Sequence, residues 1–171
     1  MNQILDVFNI GLLQNTLRTA TPVILAAMGG LLTEQAGIMN IGMDGMILVG
    51  AFVAVALSFA FSSAAIGVLG AVISGIVIGL FFAVFVVKLR SDEFIIGMAL
   101  NTFAGGLTVY LLRSIFGVKG TFADAGIVSL PTVHFDFLDA IPVLGPLLNN
   151  NSIFVYITWL LVFLTWVFLY R

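Results

Sequence analysis

The segment Ala64–Val87 constrains the fold most strongly, because it contains no charged side chain and Ser74 is its one polar side chain. A helix needs about 20 predominantly apolar residues to cross the hydrocarbon core of a bilayer. Inside that core, only a helix or a closed barrel satisfies all of its own backbone hydrogen bonds. We therefore predict a membrane-spanning helix over this segment.

Four further segments are long and apolar enough for the same interpretation. They run from about Gly11 to Leu32, Met46 to Phe61, Phe94 to Leu112, and Ile153 to Tyr170. The chain is 61% hydrophobic and 8% charged, whereas a soluble domain has about 25% charged residues. The sequence predicts an all-α fold, a polytopic transmembrane helical bundle of about five spans, forming a single domain over residues 1–171.

The orientation of this bundle depends on a few basic residues. Lys88 and Arg90 lie in a short turn between two spans, which favours a cytoplasmic turn. Three other basic residues are predicted on the opposite side of the membrane: Arg18, Arg113 and Lys119. Basic residues in short loops at helix ends nevertheless count for more in setting the orientation. The loop at about residues 114–152 is then predicted to be extracytoplasmic.

Several classes of function find no support in the composition. The net charge is -2 with no basic run, so no nucleic-acid partner is expected. There is no Cys, and the single His134 among scattered acids is a poor metal site, so we predict no metal and no cofactor. No nucleophile stands beside a suitable base, and we predict no catalytic residue.

A polar interruption follows the first apolar segment. Between Glu34 and Phe52, two acids, one Asn and four glycines break a sequence that is otherwise apolar enough for a membrane. Such a break is tolerated inside protein or beside an aqueous cavity, and it marks the solute pathway of many transporters. We predict one broken, partly re-entrant segment that carries Glu34, Asn40 and Asp44. An ordinary loop at the membrane face is the alternative.

The fourth span carries a polar residue of its own. Gly97, Asn101 and Gly105 share one helix face, and Asn101 in mid-span should face protein or a cavity. It either lines a solute pathway or forms an interhelical hydrogen bond, and the sequence leaves both open. Asp92 and Glu93 precede this span, where the helix dipole favours negative charge.

Small residues recur every four positions along the third span. They form one stripe, which we interpret as a helix-packing seam: Ser63, Gly67, Ala71, Gly75, Gly79 and Ala83. The alternative is that Gly and Ala are simply abundant in membrane helices.

The segments Thr21–Glu34 and Gly37–Phe52 resemble the membrane permease of bacterial ABC importers for nucleosides and simple sugars. The related branched-chain amino-acid permeases share the pattern more loosely. Asp92–Asn101 resembles the acidic turn and following span of that family, and Ala140–Leu148 resembles its external loop. Asp44 stands where the family more often has Glu.

The resemblance implies a multi-pass permease subunit in the bacterial cell membrane, surrounded by the lipid bilayer. It also implies a second permease subunit, cytoplasmic ATP-binding cassette subunits and an external solute-binding protein as partners. ATP hydrolysis would belong to those partners, since this chain has no phosphate-binding loop of the G-x-x-x-x-G-K-[ST] type. The candidates for lining the solute pathway are Glu34, Asn40, Asp44 and Asn101, and a nucleoside is expected ahead of a simple sugar.

The resemblance covers the N-terminal half of such a permease. Family members continue with a cytoplasmic coupling segment and further helices, so we expect either a partial permease or one that another chain completes. The alternative function is a small non-transport membrane scaffold or assembly subunit held by the small-residue stripe. A channel formed by homo-oligomers is a further alternative, because broken segments also line channels.

Overall fold

Apolar runs of membrane-spanning length fold into helices, because a helix satisfies its backbone hydrogen bonds without help from water. The computed structural model describes residues 10–170 apart from 123, 125, 129, 135–148 and 150. Within that part of the chain there are five α-helices, which confirms the predicted all-α fold: α1 Ile10–Gln35, α2 Met43–Phe61, α3 Ala64–Ala83, α4 Glu93–Phe116 and α5 Ile153–Tyr170.

Four of these helices are long and apolar enough to cross a membrane, judged by length and composition in the described residues. They are α2, α3 with its extension to Lys88, α4 and α5. Helix α1 is long enough but is more polar, with Gln14, Asn15 and Arg18 in its first half. A fifth span at α1 therefore stays a prediction.

The turn between α2 and α3 is as tight as the sequence indicated. Helix α2 ends at Phe61, Ser62 adopts a left-handed conformation with φ of 48°, and α3 begins at Ala64. At its other end, α3 continues as one π-helical turn over Val84–Lys88, and Arg90 has a φ of 54°. Single π turns of this kind mark irregular points in otherwise regular helices.

Local hydrogen bonds define both ends of α4. Asp92 is its N-cap, and one carboxylate oxygen accepts hydrogen bonds from the backbone N–H groups of Phe94 and Ile95, at 2.9 and 3.0 Å. This geometry confirms the predicted role of Asp92 at a helix N-terminus. Gly117, with φ of 67°, ends the helix in the left-handed conformation that Gly adopts readily.

The chain divides into two compact units, which are described separately. One is Gly30–Ser129, and the other combines Met1–Gly29 with Leu130–Arg171. In the unit Gly30–Ser129, the buried apolar side chains include Phe82, Leu100 and Ala104. Large apolar side chains elsewhere on its helices are exposed, as is normal for helix surfaces that face lipid rather than water.

The other unit contains a short antiparallel pairing that sequence analysis did not predict. Strand β1 (Thr132–Val133) pairs with β2 (Asn151–Ser152), and Asn151 is fully buried. Arg18 Nε donates a hydrogen bond to Asn151 Oδ1 at 3.2 Å. Two-residue strands are too short to produce a detectable alternation of polar and apolar residues. The predicted external-loop segment Ala140–Leu148 lies outside the described residues.

Candidate functional site

The predicted interruption is a real break between two helices. Helix α1 ends at Gln35, α2 begins at Met43, and residues 36–42 are not helical. The N–H of Gly37 donates to the carbonyl of Glu34 at 2.9 Å, and the N–H of Ile38 donates to that of Thr33 at 3.0 Å. With a φ of 80° at Gly37, these bonds form a Schellman motif, which ends a helix. We call residues 36–42 the helix break.

Residues of three successive turns along one face of α4 contact the helix break. Glu93 Oε2 accepts a hydrogen bond from the N–H of Met39 at 3.0 Å. One turn further, a Cβ added to Gly97 would lie 2.9 Å from the backbone nitrogen of Gly42, so only Gly allows this close approach. The next turn carries Asn101. The spacing of four residues places all three on the same side of α4.

Asn101 joins α4 to both the helix break and α2. Its Oδ1 accepts a hydrogen bond from the N–H of Gly45 at 2.7 Å, and its Nδ2 donates to the carbonyl of Ile41 at 2.9 Å. Gly45 is in the first turn of α2, where backbone N–H groups have no partner within the helix, and the N-cap Gly42 offers no side chain. Asn101 thus caps α2 from another helix. Both of its polar atoms have protein partners here, while its predicted place on a solute pathway stays a prediction.

Glu93 has a contact beyond its predicted role. It is in the first turn of α4, where a negative charge is favourable as predicted, and its carboxylate also accepts a hydrogen bond from the N–H of Met39 in the helix break. The spacing of Glu93, Gly97 and Asn101 was the signal that could have revealed this contact. Sequence analysis included Glu93 only as a helix-end residue, because the partner lies 54 positions away.

Asn40 is engaged locally, within the helix break. Its Oδ1 accepts a hydrogen bond from the N–H of Gly42 at 3.1 Å, and its Nδ2 lies 3.8 Å from the sulfur of Met46. Bonding from an Asn side chain to the backbone two residues later is the Asx turn, which favours a non-helical bend. Asn40 therefore helps to shape the helix break.

Glu34 and Asp44 lie on either side of the helix break and are both exposed. In the part of the chain that the structure describes, neither carboxylate accepts a hydrogen bond. Asp44 is in the first turn of α2, where the helix dipole favours a negative charge. Glu34 is in the last turn of α1, where the helix dipole does not favour a negative charge. The side chains of these two acids therefore remain available to a ligand or another subunit.

The predicted small-residue stripe contacts α2 along only part of its length. A Cβ at Gly67 would lie 2.6 Å from the carbonyl oxygen of Ala54, so α2 and α3 approach closely there. Gly70, which is off the four-residue row, also meets α2 at the side chain of Leu57, and the sequence analysis missed it. Gly75 and Gly79 have no atom within 4 Å of a built Cβ. A packing role for that half of the stripe stays a prediction.

Comparison with known proteins shows that residues 12–171 match one protein family. That family is described as the branched-chain amino acid transport system / permease component. The guanosine ABC transporter permease protein NupQ of Bacillus subtilis is 31% identical over 163 residues, which cover 91% of this chain and 50% of that protein.

Two further relatives align over a similar part of their length. The nucleoside ABC transporter permease protein NupC of Lactococcus lactis subsp. cremoris is 29% identical, over 92% of this chain and 51% of that protein. The putative glucose ABC transporter permease protein TsgC13 of Haloferax volcanii is 29% identical, over 96% of this chain and 49% of that protein. The chain spans about half the length of the curated relatives it matches. No solved structure matches this chain.

Proposed function

This chain belongs to the family of the permease component of branched-chain amino acid transport systems, and on that premise we propose that it is a membrane-spanning permease portion of an ATP-driven importer. The proposed solute is a nucleoside, with a simple sugar as the second candidate. Two of the three relatives carry guanosine or nucleoside in their names, and the third carries glucose. All three are named as permease proteins rather than as enzymes, which agrees with the prediction of no catalytic centre.

The observation that carries this proposal is the helix break with its two exposed acids. A bilayer offers no water to non-helical backbone, so a break persists only where protein or an aqueous cavity satisfies it. Here Asn101 and Glu93 satisfy three backbone groups of the helix break and of the first turn of α2, while Asp44 and Glu34 remain without protein partners in the described residues. This arrangement supports a fixed break that presents carboxylates to a polar solute.

A carboxylate suits the proposed solutes because it accepts hydrogen bonds in pairs. Ribose hydroxyls and the N–H groups of a nucleobase are donors that such an acceptor can bind. We assign the solute-contacting role to Asp44 and Glu34 rather than to Asn101. Asn40 and Asn101 then act on the pathway by shaping and holding the helix break.

Transport in this proposal requires further subunits. A second permease subunit would pair with this one around the pathway. Cytoplasmic ATP-binding cassette subunits would hydrolyse ATP, and an external solute-binding protein would deliver the nucleoside. These partners belong to the proposal because this chain corresponds to about half of each relative.

Uptake of radiolabelled guanosine tests the proposal in cells that carry the variants in place of the native gene. We expect Asp44→Asn to lower uptake by about tenfold, the equivalent of ~1.4 kcal/mol, since the amide keeps one acceptor but loses the charge. The matched control is Thr102→Ala, because Thr102 is exposed and its hydroxyl donates only to the carbonyl of Met98 on its own helix. It should leave uptake within about twofold, as surface changes usually cost little.

The scaffold alternative predicts a different pattern. If Asp44→Asn and Glu34→Gln leave guanosine and glucose uptake unchanged while Gly67→Leu prevents assembly of a larger complex, the chain is a scaffold and the transport proposal is wrong. Gly67 is the appropriate probe, because its Cα lies against the backbone of α2. If excess unlabelled glucose abolishes guanosine uptake, the transport proposal stands, but the assigned solute changes.

A further inference from the structure

A groove on the surface of the unit Gly30–Ser129 has no place in the transport proposal. It lies between α2 and α4 and has a volume of about 270 Å³. Its walls include Leu48, Phe52 and Val55 from α2 and Leu112 and Phe116 from α4. This volume falls just below the ~300–1,000 Å³ of pockets that enclose a drug-sized ligand, so a slender occupant fits it best.

The lining of the groove is predominantly apolar. The one hydroxyl in its lining belongs to Thr108, and that oxygen donates to the carbonyl of Ala104 on its own helix at 2.8 Å. The donor of this hydroxyl is therefore occupied within α4, and the other lining side chains are apolar. A hydrocarbon chain matches such a surface through dispersion contacts.

Aromatic rings form the wall of the groove at the C-terminal end of α4. The rings of Phe116 and Phe122 stack with centroids 4.2 Å apart, and Phe59 meets Phe122 edge-on at 5.3 Å. The chain can fold back to place Phe122 there because Gly117 and Gly120 both adopt positive φ angles, of 67° and 102°. The aromatic wall is thus built by the loop that follows the helix.

Two cations are next in sequence to residues that line this end of the groove. Arg113 directly follows the lining residue Leu112, Lys119 directly precedes the lining residue Gly120, and both cations are exposed. The acid of the same loop, Asp124, is turned towards its own backbone and accepts the N–H of Gly126 at 2.8 Å. Two exposed positive charges thus neighbour the lining residues of an apolar groove, and this combination is complementary to a lipid with an anionic headgroup.

We propose that this groove binds one acyl chain of an anionic phospholipid, whose phosphate is held by Arg113 and Lys119. Long basic side chains run along apolar surface and place their charge at headgroup level. A basic residue near an anionic membrane surface contributes roughly fivefold in affinity, so the pair gives an expected preference of about tenfold or more over a zwitterionic lipid. The proposal does not depend on the solute or on transport.

Tryptophan fluorescence in lipid vesicles tests the assignment. In the full chain, Trp159 and Trp166 are first replaced by Phe, and a single reporter is introduced as Phe122→Trp in the groove. The matched control is Val72→Trp, since Val72 is on α3, is 54% exposed and does not line the groove. The chain is placed in phosphatidylcholine vesicles in which part of the lipid is replaced by brominated phosphatidylglycerol or by brominated phosphatidylcholine.

We expect the groove reporter to reach half-maximal quenching at about tenfold less brominated phosphatidylglycerol than brominated phosphatidylcholine, while the control responds equally to both. Arg113→Gln with Lys119→Gln should remove the difference at the groove reporter. Equal quenching by the two lipids in the native-charge chain overturns the proposal. So does a groove reporter that neither lipid quenches, because protein then fills the groove. If Phe122→Trp does not fold, Leu112→Trp serves as the reporter with the same outcomes.

Discussion

Replacing Asn101 by Ala is expected to loosen the helix break and the first turn of α2 without unfolding the chain. The change removes the acceptor of the Gly45 N–H at 2.7 Å and the donor to the Ile41 carbonyl at 2.9 Å. Gly42, the N-cap of α2, has no side chain that could replace either bond. Both backbone groups then lie in a protein-lined site with no partner.

The magnitude follows from these two bonds. Side-chain hydrogen bonds between membrane helices average ~0.6 kcal/mol and reach about 1.7 kcal/mol, and loss of a helix N-cap costs about 0.5–2 kcal/mol. Loss of two bonds, one of which is a cap, is therefore expected to destabilise the closed form of the helix break and the first turn of α2 by ~1–3 kcal/mol. At ~1.4 kcal/mol per factor of ten, that cost corresponds to an increase of about 5- to 150-fold in the population of the open form.

Amide hydrogen exchange measures this population directly, because an amide exchanges when its region opens. We expect the amide of Gly45 to exchange about 5- to 150-fold faster in Asn101→Ala than in the native chain, from the cost given above. Amides in the middle of α3 should be unchanged. Thr102→Ala is the matched control, since Thr102 is the next residue of α4 but its hydroxyl bonds only within that helix.

Two results would refute the reasoning. If the Gly45 amide exchanges at the native rate in Asn101→Ala, the cap is not formed in the membrane. If Thr102→Ala accelerates that amide as much as Asn101→Ala does, the effect comes from a general weakening of α4 and not from the two bonds.

Two further predictions concern other contacts of the same unit. Gly67→Ala should destabilise the chain by about 1–3 kcal/mol through overpacking against the Ala54 carbonyl, whereas Gly75→Ala, which meets open space, should leave stability unchanged or raise it by up to ~1 kcal/mol. Unfolding in micelles of a mild detergent with increasing sodium dodecyl sulfate measures both, and equal effects would contradict the packing argument. Glu93→Ala should speed exchange of the Met39 amide about two- to tenfold, since a net hydrogen bond is worth ~0.5–1.5 kcal/mol. Glu93→Gln keeps an acceptor and should stay near the native rate, and an equal loss in both variants would show that charge rather than hydrogen bonding holds Met39.

The helices were predictable because bilayer thickness sets a length that apolar segments must reach. The predicted third and fifth spans begin at Ala64 and Ile153, and the helices begin at the same residues. The predicted second span began three residues late, at Met46 rather than Met43, because Asp44 was assigned to the break. In the structure, Asp44 belongs to the first turn of α2, where a negative charge is favourable.

The partners of the polar residues were less predictable. Asn101 was expected to bond between helices or to line a pathway, but its partners Gly45 and Ile41 lie 56 and 60 positions away. The small-residue stripe indicated where a helix could approach α3, yet α2 covers Gly67 and Gly70 and leaves Gly75 open. Which part of a stripe is covered depends on how the neighbouring helix crosses it, and spacing within one helix does not fix that crossing.

Sequence analysis predicted membrane-type helices from their apolar length, and it predicted an interruption between Glu34 and Phe52. The structure shows that the helix before this interruption ends at Gln35, where the left-handed Gly37 stops it by local backbone bonding. What holds the break in place depends on tertiary packing. Glu93 and Asn101 reach it because α4 lies against α2, and hydrogen bonds between residues more than 50 positions apart exist only once that packing has formed.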